Sequence, residues 1–239
     1  MINDAQLSSG VSRFFYRSLV MDMPQLFKAI LKFNTSVIFE TKKDGFLNDN
    51  GAALPDGIFN SSSRAKAKFI GSYSIGFWDF EEESRRIALL DVSTLNELVL
   101  SIGSALCSPL LNKFILKKEV ETLNRDIESK YLDFARGAGR FILGDIGEII
   151  KIEEQTTTPE KMRDLVIKYG MYAHGICSAA WPESLQDFEN QKIKRSLPDL
   201  FEHRVQLNQV NPSHLRAIWF NVKKILLKEV APQWIPCFS

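Results

Sequence analysis

The chain has 239 residues, with 30 Lys+Arg against 29 Asp+Glu, for a formal net charge of +1. With 45% hydrophobic and 25% charged residues, its composition is that of a globular protein long enough to bury a core, which excludes wholesale disorder, a collagen-like repeat and a disulfide miniprotein. A broadly basic nucleic-acid binder is excluded too, because no net positive field is present to collect phosphates.

Val11 to Phe33 reads as helical, with Pro24 suited to a first helical turn and Leu26, Phe27, Ile30 and Leu31 on one apolar face. Ser36–Thr41 reads as a short strand. Between Asp44 and Ser63, thirteen of twenty residues are Gly, Asn, Asp, Ser or Pro. Asp49-Asn50-Gly51 and Pro55-Asp56-Gly57 are turn signals there, since Gly and Asn tolerate positive φ, so 44–63 is expected as a long surface loop. Phe69 to Phe80 alternates aromatic and small residues with Ser and Gly, a pattern that fits either a strand or an irregular apolar segment.

After Glu81 the sequence is helical. Asp91 or Ser93 is suited to cap the start, and Thr94-x-x-Glu97 fits a capping box. Leu95, Leu98, Val99, Ile102, Ala105 and Leu106 follow at helical spacing. Ser108-Pro109 restarts a short helix. Val120, Leu123, Ile127, Tyr131 and Phe134 continue the period with a break near Asn124, and Gly137, Gly139, Gly144 and Gly147 then loosen the chain. Thr158-Pro159 is a cap followed by a first-turn proline. The helix through Met162, Leu165, Val166, Tyr169 and Ile176 ends at Trp181-Pro182. Asn211-Pro212 opens the last helix, which runs to about Val230. The expected fold class is mainly α: a single compact helical domain with an irregular or small β element in its N-terminal third. Residues 1–80 supply N-terminal helices, short strands and the 44–63 loop, and 81–239 supply the helical core.

The longest uncharged stretch, Leu98 to Asn112, is shorter than the roughly 20 residues a membrane-spanning helix needs. Met1-Ile2-Asn3-Asp4 has no basic start, and Ser8, Ser9, Gly10 and Arg13 interrupt any apolar signal core. The expectation is a cytoplasmic protein without direct membrane insertion. Cys107, Cys177 and Cys237 are far apart and read as reduced thiols.

Signatures of chemistry are weak. Gly137-Ala138-Gly139 begins like a dinucleotide loop, but Ile142 stands where the third glycine is required and no apolar strand precedes it. Gly139-x-x-x-x-Gly144 resembles a P-loop opening, yet Asp145 replaces the lysine and would repel phosphate. These glycines read as a joint between helices. His174 and Cys177 share a helix face, but a structural zinc needs four ligands and His203 and His214 have no paired partner. Glu81-Glu82-Glu83 and Glu153-Glu154 are solvated runs rather than buried carboxyls tuned for acid work. No nucleophile elbow or His-Glu-x-x-His is present. No catalytic residue, cofactor or metal is expected.

The last helix is the most informative surface. Leu215, Ile218, Trp219, Val222, Ile225 and Leu226 form a wide core face, and Arg216, Phe220, Lys223 and Leu227 form a mixed line beside it. Ala217, Asn221, Lys224 and Lys228 are left as a narrow polar strip. A helix apolar over more than half its circumference is either well buried or packed on a partner as well. Because aromatics and Arg anchor interfaces, Arg216, Phe220, Lys223 and Leu227 are the candidate partner contacts.

Arg86-Ile87-Ala88-Leu89-Leu90-Asp91, with Leu95, Leu98 and Gly103-Ser104-Ala105-Leu106-Cys107, forms one distinctive segment. A second runs from Trp219 through Lys228-Glu229-Val230-Ala231-Pro232-Gln233-Trp234-Ile235-Pro236-Cys237-Phe238. With Trp181-Pro182 between them, they resemble the SctK/YscK family of bacterial type III secretion systems, over roughly residues 80–150 and 180–239. The resemblance implies a mostly helical, non-enzymatic adaptor of the cytoplasmic sorting platform. Its implied partners are the SctQ-type pod protein and the cytoplasmic domain of the SctD-type inner-membrane ring protein, and through the pods the SctL-type stator and the export ATPase. The resemblance further implies recruitment to the cytoplasmic face of the inner membrane. A reading from another class is a cytosolic chaperone for a secretion substrate, which predicts a dimer with an elongated apolar groove. The third is a metabolic enzyme with dispersed catalytic residues.

Overall fold

Leu26, Ile30, Leu31 and Asn34 recur at helical spacing and are buried together along helix α1, Pro24–Lys43. The Ser36–Thr41 run, expected as a strand from its β-branched residues, continues this helix. The Thr35 hydroxyl donates to the Leu31 carbonyl at 2.6 Å and the Ser36 hydroxyl to the Phe33 carbonyl at 2.7 Å. Both hydroxyls therefore bond back to the preceding turn instead of breaking it. The buried stripe outweighs a β-propensity scale that spans only about 1 kcal/mol.

The computed structural model describes residues 21–43, 77–142, 146–152, 157–205, 207 and 210–238, with the side chains of 37–43, 147 and 148 left aside. The expected helical stretch before residue 21, the 44–63 loop, residues 69–76, Gly144, Asp145 and Glu153-Glu154 lie outside these. Among the described residues the structure is mainly α and holds no strand. None of its helices is long and apolar enough to cross a membrane. The chain divides into two compact units, Met1–Leu89 with Pro236–Ser239, and Leu90–Ile235.

In the first unit, the Asn34 side-chain amide receives the Phe77 N–H at 2.7 Å and donates to the Phe77 carbonyl at 3.0 Å. One buried amide thus satisfies both backbone polar groups of Phe77, and the Phe80 N–H donates to the Trp78 carbonyl at 3.0 Å, so residues 77–80 turn without a sheet partner. Phe80 is fully buried and meets the rings of Phe33 and Phe77 edge-on, at centroid separations of 5.7 and 5.1 Å. The expected helix after Glu81 begins as a 3-10 helix, Glu83–Leu89. Its Arg86 is buried and donates to the carbonyls of Phe80 (3.0 Å), Glu81 (3.3 Å) and Cys237 (2.9 Å). Burial lowers the Arg86 pKa, and the Glu83 carboxylate 3.9 Å away opposes that shift. Two carboxylates of the acidic run face arginines: Glu83 lies by Arg86, while Glu82, together with Asp79, pairs with Arg85.

The second unit is built around α2, Val92–Leu106, which is buried on nearly every side. Asp91 caps it, accepting the Thr94 N–H at 2.9 Å and the Thr94 hydroxyl at 3.0 Å. The expected Thr94–Glu97 box is not formed, because Thr94 already lies inside the first turn; Glu97 instead pairs with Lys130 at 2.7 Å. Against α2 lies α8, Met162–Ser178. A Cβ added at Gly103 would sit 1.8 Å from the Val166 carbonyl oxygen, and one at Gly170 would sit 2.2 Å from that of Val99. The two glycines bring backbone against backbone where the helices cross.

Ser108–Leu111 forms α3, with Pro109 in its first turn. The helical period from Val120 to Phe134 is split into α4, Lys117–Asp126, and α5, Ser129–Phe134. The break falls at the extended Ile127 rather than near Asn124. A π-helical turn, Ala135–Gly139, leads into the short α6, Arg140–Ile142, and α7 follows at Ile146–Ile149. Thr158 precedes the 3-10 turn Pro159–Lys161, but its side chain makes no capping bond and serves the Glu160 carboxylate instead. Helix α8 stops three residues before Trp181-Pro182, and α9, Glu183–Ser196, and α10, Pro198–Glu202, follow. The last helix, α11, Pro212–Ile225, is capped by Asn211, whose Oδ1 accepts the Ser213 N–H at 3.0 Å. It passes into a π-helical turn, Leu226–Val230, before the closing 3-10 helix Pro232–Cys237.

Candidate functional site

Helix α11 packs against α2, α6, α7 and α8, and its burial pattern follows from that crowding. Ile218, Val222, Ile225 and Leu226 are buried, whereas Leu215 and Trp219 of the same expected core face are half-buried. The strip Ala217, Asn221 and Lys224, expected as the open polar face, is also half-buried; of that set only Lys228 is exposed. The outward edge is the mixed line. Arg216 is exposed and Phe220 is 66% exposed, while Lys223 and Leu227, one and two turns on, are half-buried. The four candidate contacts therefore share one edge of α11 and the π-helical turn that continues it, but only the N-terminal pair stands clear of the protein.

A second exposed aromatic lies on a helix that packs against α11. Phe141 of α6 is 70% exposed, and the Arg140 guanidinium lies 4.4 Å from its ring centroid. Because α6 and α11 touch, two phenylalanines, each with a nearby arginine on its own helix, are presented from packed neighbours. Phe141 was not singled out from the sequence, where it sits in a glycine-rich joint with no period of its own. The available signal was a lone aromatic beside arginine between two helical patterns.

The glycines of that joint have a structural use. Gly137 and Gly139 lie in the π-helical turn between α5 and α6. A Cβ on Gly139 would fall 2.9 Å from the Phe134 carbonyl oxygen and 3.1 Å from the Ala105 Cβ, so the turn needs glycine to lie against α2.

His174, weighed as a metal ligand, turns away from that role. Its Nε2 lies 3.3 Å from Oε1 of Glu189 on α9, both side chains fully enclosed, and its ring meets Trp181 edge-on. Burial pulls the Glu189 carboxyl towards its neutral form. The charge and hydrogen bond of His174, with the charges of Lys192 and Arg204 beyond, outweigh that pull and hold it below the usual carboxylate range. Against an ionised carboxylate, Nε2 carries the proton and donates. Cys177, one turn from His174, is buried, and enclosure together with the Glu189 charge pushes its thiol pKa up, which leaves it unreactive. Among the described residues, no group of three or more His, Cys, Asp or Glu side chains is gathered for a metal.

Comparison of the chain with protein-family models, with curated proteins and with solved structures finds no match.

Proposed function

We propose that this protein is a non-enzymatic adaptor of the bacterial type III secretion system. It would work in the cytoplasmic sorting platform, holding an SctQ-type pod to the cytoplasmic domain of the SctD-type inner-membrane ring protein. The observation that carries this reading is the resemblance of the Arg86–Cys107 and Trp219–Phe238 segments to the SctK/YscK family. An adaptor needs two contact surfaces held at a fixed separation, so its working parts are a stiff frame and exposed anchors. The Gly103–Gly170 crossing stiffens the frame, because helices in backbone contact have no side-chain layer to shear.

Phe220 and Phe141 are the anchors, exposed aromatics of the kind that dominate interface energetics. Arg140 and Arg216 are exposed on the same two neighbouring helices, and Lys228 is exposed in the π-helical turn that continues α11. Their charge suits an acidic, partly apolar partner segment.

The test is co-purification of the tagged full-length chain with co-expressed SctQ-type and SctD-type proteins. Recovery of either with the wild type, and its loss with Phe141→Ala/Phe220→Ala, supports the reading. Failure to recover either overturns it, and capture of a single exported protein in their place moves the chaperone reading forward.

A further inference from the structure

The turn between α3 and α4 carries two adjacent aliphatic side chains in solvent, Ile115 at 79% exposure and Leu116 at 64%. Its backbone is held at both ends: the Lys113 N–H donates to the Leu110 carbonyl at 3.0 Å, and the Leu116 carbonyl accepts the Val120 N–H at 3.0 Å. Of residues 112–118 only Phe114 is buried.

Leu116 is also the N-cap of α4. A side-chain oxygen at that position would serve the free amides of the first turn, and leucine has none to offer. The Glu119 carboxylate accepts the N–H of Leu116 itself at 3.1 Å, which leaves those first-turn amides without an N-cap acceptor. Neither aliphatic side chain is packed, and one of them stands where it weakens a helix. Nothing among the described residues accounts for the pair.

The surrounding charge is of one sign. Lys113, Lys117 and Lys118 flank the pair and are exposed, and the chain from Leu98 to Lys118 holds no carboxylate. Glu121 lies 3.9 Å from Lys117, but the two side chains are 63% and 91% exposed, and a contact so open to water leaves the lysine charge largely in place. Protein interfaces are enriched in aromatics and Arg and depleted in Lys, whereas residues 112–118 expose neither an aromatic nor an arginine. Aliphatic tips with a collar of lysines suit an anionic bilayer instead, where the apolar groups enter the headgroup–acyl boundary and the ammonium groups stay at the phosphates.

We propose that the Lys113–Lys118 turn is a reversible contact with an anionic lipid surface, with Ile115 and Leu116 entering the headgroup layer and the lysines meeting lipid phosphates. This is adsorption of a turn and needs no membrane-spanning helix. It does not depend on which proteins the chain joins.

Co-sedimentation of the full-length chain with phosphatidylcholine vesicles, with and without about 30 mol% phosphatidylglycerol, at about 0.1 M salt tests this. The anionic vesicles should bring the protein down and the neutral ones should not. Ile115→Ser/Leu116→Ser and Lys117→Gln/Lys118→Gln should each weaken binding at least about tenfold. Serine is the better N-cap, so the first variant should melt no lower than the wild type, which separates loss of binding from loss of fold. No sedimentation with anionic vesicles, equal binding to neutral ones, unchanged affinity in either variant, or a lower melt in the serine variant overturns the proposal. A wild type that ignores vesicles, with a serine variant that loses a co-purified protein, would make the turn a protein contact and overturn it as well.

Discussion

The Arg86 guanidinium donates to the Cys237 carbonyl at 2.9 Å across 151 positions of sequence. The chain leaves its first unit after Leu89 and returns to it at Pro236, so this bond fastens the tail into the unit where the chain began. It also joins the two segments on which the SctK/YscK resemblance rests. A buried cation shared among three carbonyls gains charge-assisted hydrogen bonds, while its loss would leave those carbonyls enclosed and unpaired.

Replacing Arg86 by Gln should therefore cost about 2–4 kcal/mol of stability, read as a lower urea midpoint. Deleting Pro236–Ser239 should destabilise by a comparable amount. The two changes combined should fall short of their sum, because both remove the same bond. Strict additivity would mean that the tail is held by something else.

At the α2–α8 crossing, Gly103→Ala and Gly170→Ala should each destabilise by at least about 1–3 kcal/mol, although alanine is the better helix former by about 1 kcal/mol. The added methyl meets backbone carbonyls, at 1.8 and 2.2 Å, that no rotamer change can clear. A thermal melt unchanged or raised in either variant would show that the helices do not touch there.

Glu189→Gln should lower stability by about 3 kcal/mol near neutral pH, the usual effect of breaking a buried charged pair. The Glu189 carboxyl titrates below its ordinary range when folded. Its contribution is therefore fully present above the unfolded value of about 4.3 and is lost as pH falls through the lower folded value. Urea midpoints of wild type and variant should converge as the pH drops from about 5 towards 3. A gap that stays constant over that range would mean that the carboxyl is neutral in the folded protein.

Phe220→Ala and Phe141→Ala should each shift stability by no more than about 0.5 kcal/mol, because both rings are mostly in solvent. This is what makes them usable probes of partner binding. A large loss of stability in either would make it a core residue. Leu227→Ala, half-buried in the π-helical turn that continues α11, is expected to cost more than either.

All three cysteines, Cys107, Cys177 and Cys237, are buried and none forms a disulfide. Burial raises the thiol pKa of Cys177 and of Cys237, the latter against the opposing charge of Arg86. The native protein should react with Ellman's reagent only as fast as it unfolds, and in denaturant all three thiols should titrate at once.

Local signals in the sequence determined the helices of the second unit. Apolar residues at helical spacing, Asp91 and Asn211 at the caps, and prolines in first turns act within a turn or two of chain, so Val92–Leu106, Met162–Ser178 and Pro212–Ile225 were legible without a partner. The mixed line on the last helix was legible for the same reason, since helical spacing alone puts Arg216, Phe220, Lys223 and Leu227 on one edge. Which of them face outward was decided by the crowding of α11 against four other elements, something no single-helix pattern contains.

Ser36–Thr41 is helical rather than extended because the hydroxyls of Thr35 and Ser36 bond backwards and Asn34 supplies Phe77 with the pairing a strand would need. Neither fact is written within the run itself. The His174–Glu189 pair and the Arg86–Cys237 bond likewise join separate elements, 15 and 151 positions apart in sequence. Their energies come from burial and charge in an enclosed, low-dielectric surrounding, and only the tertiary structure creates that surrounding.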